Sequence, residues 1–183
     1  DDITSMNLNE TFDLIIAPFR VLQCLEHQYQ VEGFFSVIRD HLKTDGVAIL
    51  NVFNPKFSQD EMAEKWVTEE EVFCGETVLK NGDTLELWDR RKKIDTVNQV
   101  LHPELVYRRY RGGELVDSHI NPICMKYWYP DQFKRLVEAK GFVITNIWGG
   151  YNREVYGKGA ELVIAFKKGA TSLNGACSEM GTK

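Results

Sequence analysis

Apolar positions fall into runs of two kinds along this chain. Asp13 to Ala17 lies in FDLIIAPF, a short apolar run after a polar turn that reads as a buried strand of a parallel sheet and stops at Pro18. Val21, Leu22, Leu25, Phe34, Phe35, Val37, Ile38 and Leu42 then recur mostly at helical spacings. Phe34, Ile38 and Leu42 step by four and share one face, which predicts one or two helices. These helices are expected to end in Lys43-Thr44-Asp45-Gly46, with Gly46 in the left-handed position that closes a helix. Val47 to Phe53 (VAILNVF) predicts a second buried strand, so strand, helix and strand form one right-handed βαβ unit.

The middle of the chain changes character. Glu61 to Val72 is polar and reads as helical. From Thr84 to Tyr127 extended runs rich in β-branched and aromatic residues predict an antiparallel meander, punctuated by Asn81-Gly82-Asp83 and Arg111-Gly112-Gly113-Glu114. Pro130 opens a further helix, with Asp131 in its first turn and Phe133, Leu136 and Val137 on its apolar face, and Gly141 stops it. Phe142 to Trp148 and Glu161 to Lys168 read as closing strands around a linker with Gly149, Gly150, Gly157 and Gly159. Gly169 to Lys183 turns to small and polar residues and is expected to be a flexible tail.

The 183 residues have a formal net charge of -5, which weighs against a polyanion binder because phosphate affinity comes mostly from clustered Lys and Arg. No apolar run reaches the roughly 20 residues of a membrane span. The first residue is Asp1 and no signal-peptide pattern follows, so the sequence reads as a processed product or a fragment. Cys24, Cys74, Cys124 and Cys177 are far apart, and reduced thiols in a cytoplasmic protein are expected. His27, His41, His102 and His119 are equally scattered, and no metal site is predicted.

Several stretches, in order, resemble the C-terminal part of a class I S-adenosylmethionine-dependent methyltransferase. They are Asp2-Ile3-Thr4, the run Phe12 to Ala17, the block Val21 to Leu25, the span Leu42 to Leu50, and Leu136-Val137-Glu138-Ala139-Lys140-Gly141-Phe142. The resemblance covers Asp2 to Lys168, with the middle matched loosely, and Asp45-Gly46 stands where Gly-Gly is common in the family. It implies an α/β fold, a partial Rossmann-like methyltransferase sheet with an inserted antiparallel β meander. Residues 1–53 and 129–168 would form the core, residues 54–128 an inserted helix plus β lid, and residues 169–183 the tail. The family's glycine-rich loop and the acid ending its second strand have no match. The opening part of the domain is therefore expected to be missing, with the Leu14-Ile15-Ile16 strand left at a sheet edge that pairs with another segment or drives self-association.

The resemblance implies S-adenosylmethionine as cofactor. Asp2 would accept a hydrogen bond from the adenine amino group, Ile3 would flank the ring, and Ala17, Pro18 and Phe19 would lie beside the methionine portion, at the strand end where open α/β sheets bind ligands. Arg20, Gln23, Tyr127, Tyr129 and Tyr151 are substrate-pocket candidates, the tyrosines because aromatic faces attract a sulfonium or amine. Trp128 reads as packing. Asn54-Pro55-Lys56-Phe57 mimics a motif of nucleic-acid amino-methylating enzymes, but it follows the wrong strand and lacks the second proline. It reads as a turn. The basic runs Arg90 to Lys93 and Arg108-Arg109-x-Arg111 read as cross-strand ion pairs, with an anionic-substrate lid as the alternative. His119 reads as exposed. No residue is assigned as catalytic base. The expected function is methyl transfer to a small molecule, without nucleic-acid or membrane partners. A non-catalytic interaction domain on the same fold is the alternative, and a nicotinamide oxidoreductase is disfavoured because G-x-G-x-x-G is absent.

Overall fold

The computed structural model describes residues 2–68 and 70–169. The flexible tail expected from Gly169 lies, beyond that residue, outside the described residues. Strand β1 (Phe12–Ala17) leads through a short 3-10 turn (Val21–Cys24) into helix α1 (Gln28–His41), and β2 (Leu42–Phe53) follows without a break. After helix α2 (Gln59–Lys65) come β3 (Val72–Val78), β4 (Thr84–Asp95), β5 (Val100–Arg111), β6 (Glu114–Pro122) and β7 (Met125–Lys126). Helix α3 (Pro130–Ala139) and strands β8 (Phe142–Trp148) and β9 (Glu161–Lys168) complete the described residues.

The first sheet is four-stranded in the order β1-β2-β9-β8. β1 and β2 are parallel, as the βαβ pattern requires, whereas β9 enters antiparallel between β2 and β8. Side chains alternate across this sheet with period two. Ala48, Leu50, Val52, Leu162, Ile164 and Phe166 face α1 and α3, where Phe34, Phe35, Ile38, Phe133 and Val137 complete the main core. The opposite face carries Leu14, Ile16, Ile49 and Val163, and Leu14 and Ile16 are 55% and 61% exposed. Among the described residues β1 pairs with β2 alone, so its outer edge is open. No described helix is long and apolar enough to cross a membrane.

Three expectations need correction. β1 is not a buried strand, because one of its faces is uncovered and leaves Leu14 and Ile16 exposed. Gly46 does not close a helix in the left-handed region. α1 ends at His41 and the chain continues as strand, and Gly46 is glycine because a Cβ there would lie 2.9 Å from the Phe12 carbonyl oxygen. The polar helix expected over Glu61 to Val72 is shorter, since α2 stops at Lys65 and Val72 already opens a strand. Ser58 starts α2 reciprocally: its Oγ accepts from the Glu61 N–H, and its own N–H donates to the Glu61 carboxylate.

The second sheet runs β3-β4-β5-β6, with β7 beside β5. Gly112 and Gly113 both have positive φ, 57° and 86°, the requirement of the tight turn joining β5 to β6. The arginines of the basic runs are paired with carboxylates in and beside this sheet, while Lys92 and Lys93 are exposed. Arg90 pairs with Glu71 and Glu104, Arg108 with Glu71, and Arg109 and Arg111 with the buried Asp83. Those guanidiniums hold the Asp83 carboxyl down at about 2, Arg111 contributing most. A smaller core of Met62, Trp66, Leu101 and Tyr127 packs α2 onto this sheet, with Phe53 and Tyr129 at its margin.

Candidate functional site

Parallel strands β1 and β2 end side by side, with Ala17 opposite Leu50. The chain then turns sharply: Phe19 and Arg20 both adopt left-handed backbone, φ 57° and 61°, and Phe19 is 88% exposed. Each such residue costs on the order of 1 kcal/mol unless its surroundings hold it. Here they do. The Arg20 N–H donates to Asn51 Oδ1 at 3.2 Å, and the Arg20 guanidinium donates to Glu161, from Nε at 3.0 Å and from Nη2. Asn51 Nδ2 donates to the same carboxylate at 2.8 Å, and the guanidinium lies 5.5 Å over the Phe53 ring. The loop is therefore clamped by the ends of β2 and β9, residues far away in sequence.

Beside this clamp is an apolar cavity of about 220 Å³. Ile16, Ala17, Pro18, Ile49, Tyr151 and Val163 line it. Tyr151 reaches it from the 149–160 loop, which folds tightly on itself. A Cβ at Gly159 would meet the Gly149 carbonyl oxygen at 1.9 Å, so only glycine fits. Asn54 ties that loop to the end of β2, its N–H bonding the Ala160 carbonyl and its Nδ2 the Gly159 carbonyl. The Asn54-Pro55 pair thus has a structural task, as a strand end and a loop anchor.

The remaining candidates are placed as follows. Asp2 caps its own turn, accepting from the Thr4 N–H and hydroxyl through Oδ1, and these bonds lower its pKa. The 2–4 segment rests on α1 at Gly33, where a Cβ would strike the Thr4 carbonyl oxygen at 2.2 Å, and Ile3 packs against the main core. Gly33 is in the N-terminal half of α1, and α1 begins at the end of the sheet where β1 finishes. Gln23 is fully buried with its amide engaged. Tyr127 and Tyr129 are not in the apolar cavity. They meet edge-on in the smaller core, 6.0 Å between centroids, with both hydroxyls buried and without a partner among the described residues. Burial pushes the Tyr127 hydroxyl up to about 12, helped by Tyr129 and Asp95, and it also raises Tyr129. Trp128 stacks on Phe133 in the main core, and His119 is exposed on β6. Burial raises the thiols of Cys24 and Cys124, so neither is a poised nucleophile.

Asn51 and Glu161 escaped the sequence reading. Asn51 did leave a signal, as the one polar residue within the buried run VAILNVF.

No protein-family model matches the sequence, and no curated protein does. Solved structures do match. A methyltransferase from Clostridium acetobutylicum, described as S-adenosylmethionine-dependent, superposes with a TM-score of 0.69 at 14% identity, over 92% of this chain and 63% of its own. A sugar N-methyltransferase from Streptoalloteichus gives 0.67 at 10%, over 92% and 61%. An amino pentose methyltransferase from Micromonospora echinaspora, solved with S-adenosylmethionine bound, gives 0.63 at 15%, over 92% and 63%. The chain spans less than two thirds of the length of these neighbours. At such identities the likeness is one of fold.

Proposed function

With the class I methyltransferase fold as its framework, we propose that this chain carries part of an S-adenosylmethionine-dependent methyltransferase acting on a small molecule in the cytoplasm. The observation that carries the reading is the strand-end arrangement. Two parallel strands open onto a clamped loop and an apolar cavity, and a second sheet leaves and rejoins the core at that same end. The neighbours that act on amino sugars support a small polar acceptor. The internal pairing of the Arg90, Arg108, Arg109 and Arg111 charges supports a substrate other than nucleic acid.

The residues fit such a cofactor. Asp2 has a lowered pKa, so its carboxylate is ionised, and Oδ2 makes no bond among the described residues, leaving the acceptor that an adenine amino group needs. Ala17 and Pro18 give apolar walls, with Phe19 free to close over them. When bound, the cofactor supplies a methyl group on a cationic sulfur. The chain's own work is then to bind, align and exclude water. In-line attack by a well-placed nucleophile gains most of its rate from positioning. Tyr151 offers an aromatic face to a cation, and the Arg20–Glu161 pair holds the loop beside it. Gln23 and Tyr127 are buried, and Tyr129 partly buried, in packing away from the cavity.

Calorimetric titration of the 183-residue chain with S-adenosylmethionine tests this. Saturable heat is expected, with affinity falling about 10- to 100-fold in Asp2→Ala, the worth of one charge-assisted hydrogen bond. Uptake by a longer parent protein and not by this chain also supports the reading, while a parent that takes up no cofactor at millimolar concentration refutes it. That outcome would favour instead an interaction domain that keeps the fold.

A further inference from the structure

The polypeptide passes between the two sheets twice, leaving at Phe53, the last residue of β2, and returning after Lys126, the last of β7. One side chain holds both crossings. Gln23 Oε1 accepts the Phe53 N–H at 2.6 Å, and Gln23 Nε2 donates to the Lys126 carbonyl. Gln23 is 0% exposed, and its own N–H bonds the Arg20 carbonyl at 2.8 Å. The same residue is thus fixed to the left-handed loop beside the cavity. We propose that Gln23 is a positioning residue whose amide clasps the exit and return strands together and thereby sets the pitch of the second sheet over the strand ends.

The chemistry of the side chain supports this. An uncharged amide is the group that offers an acceptor and a donor at opposite corners of one plane. Glutamate at this position would keep the bond from Phe53 but set a carboxylate against the Lys126 carbonyl. Methionine would fill the volume and leave both backbone groups without their partner. One other side-chain bond crosses the junction among the described residues, Gln99 Nε2 donating to Gln132 Oε1 of α3 at 2.8 Å, and it leaves the Phe53 exit unheld. Arg20 over the Phe53 ring and Phe53 at the margin of the smaller core are softer ties. The functional meaning of the clasp rests on the second sheet being the cover of a cofactor crevice, as proposed above. The clasp itself does not.

The test measures geometry without activity. In the full chain with Cys24→Ser, Cys124→Ser and Cys177→Ser, spin labels are placed on the exposed Cys74 of β3 and on Ser36→Cys, an exposed position of α1. A single narrow distance distribution is expected. Gln23→Met should at least double its width, and Gln23→Glu should broaden or shift it. A folded Gln23→Met chain with an unchanged distribution would overturn the proposal. Should that variant not fold, exchange of the Phe53 amide in the unsubstituted chain decides. Protection matching Val52 supports the clasp, and exchange at the rate of an open loop overturns it. A broadened distribution beside a parent protein that takes up no S-adenosylmethionine supports the clasp and counts against the proposed function alone.

Discussion

Tyr127→Phe removes one oxygen from the smaller core and should make the protein more stable. Tyr127 is 1% exposed, and its hydroxyl has no partner among the described residues. Stripping such a group of water without replacing its hydrogen bonds costs about 1–3 kcal/mol, while the phenylalanine ring keeps the packing against Met62, Trp66 and Leu101. A net gain of about 1 kcal/mol is expected, worth about 2–4 °C in Tm for a chain of this size. The pH dependence gives a second readout. The folded pKa is pushed up to about 12, above the roughly 10 of an exposed tyrosine, so the unfolded chain loses this proton first. Stability is therefore intact below pH 10 and is lost as pH rises from there through about 12, and this component should vanish in the variant. Urea unfolding at pH 7 and between pH 9 and 11, followed by circular dichroism, measures both. A loss of more than about 0.5 kcal/mol of unfolding free energy at pH 7, or an unchanged alkaline loss, would show that the hydroxyl has a partner after all.

Other perturbations follow from the same geometry. Glu161→Gln should cost about 1–2 kcal/mol by weakening the half-buried pair with Arg20, and a double-mutant cycle with Arg20→Met should show clear coupling. Gly159→Ala should cost more than about 2 kcal/mol, since φ is 144° and the Gly149 carbonyl occupies the space; proteolysis within 149–160 should accelerate with it. The Asp83 carboxyl, held at about 2 by Arg111 and Arg109, contributes stability that is present above its ordinary value near 3.8 and is lost as pH falls through about 2; Asp83→Asn should flatten that acid limb in a pH titration of unfolding. The open β1 edge should make the chain self-associate, with a sedimentation coefficient that rises with concentration, and Leu14→Lys should suppress the rise.

What the sequence made legible is what a short window can encode. The runs Asp13 to Ala17 and Val47 to Phe53 marked the parallel pair. Phe142 to Trp148 and Glu161 to Lys168 marked both closing strands, because each is bounded by glycine or polar turns. β3 was hidden for a physical reason: Val72, Phe73 and Val78 are exposed, so the strand lies at a sheet edge and its pattern carries little burial signal. Gly46 misled because a glycine after a helix has the same local context whether it closes the helix or lets another strand approach. The clamp was out of reach altogether. Arg20 and Glu161 lie 141 residues apart, and Gln23 and Lys126 103, so no local periodicity links them. Tyr127 and Tyr129 were readable as an aromatic pair, but which wall they joined depended on how α2 packs.

The position of β9 bears on biosynthesis. Among the described residues it is the most C-terminal strand, and it belongs in the interior of the first sheet, flanked by β2 and β8. Until Glu161 to Lys168 has been translated, β2 has one bare flank and β8 has no mate at all. Those ladders cannot zip up progressively as the nascent polypeptide emerges, and must await that segment. The β2–β9 closure then joins segments more than 100 residues apart, as in the Asn51–Glu161 contact, which is the kind of long-range step that slows folding.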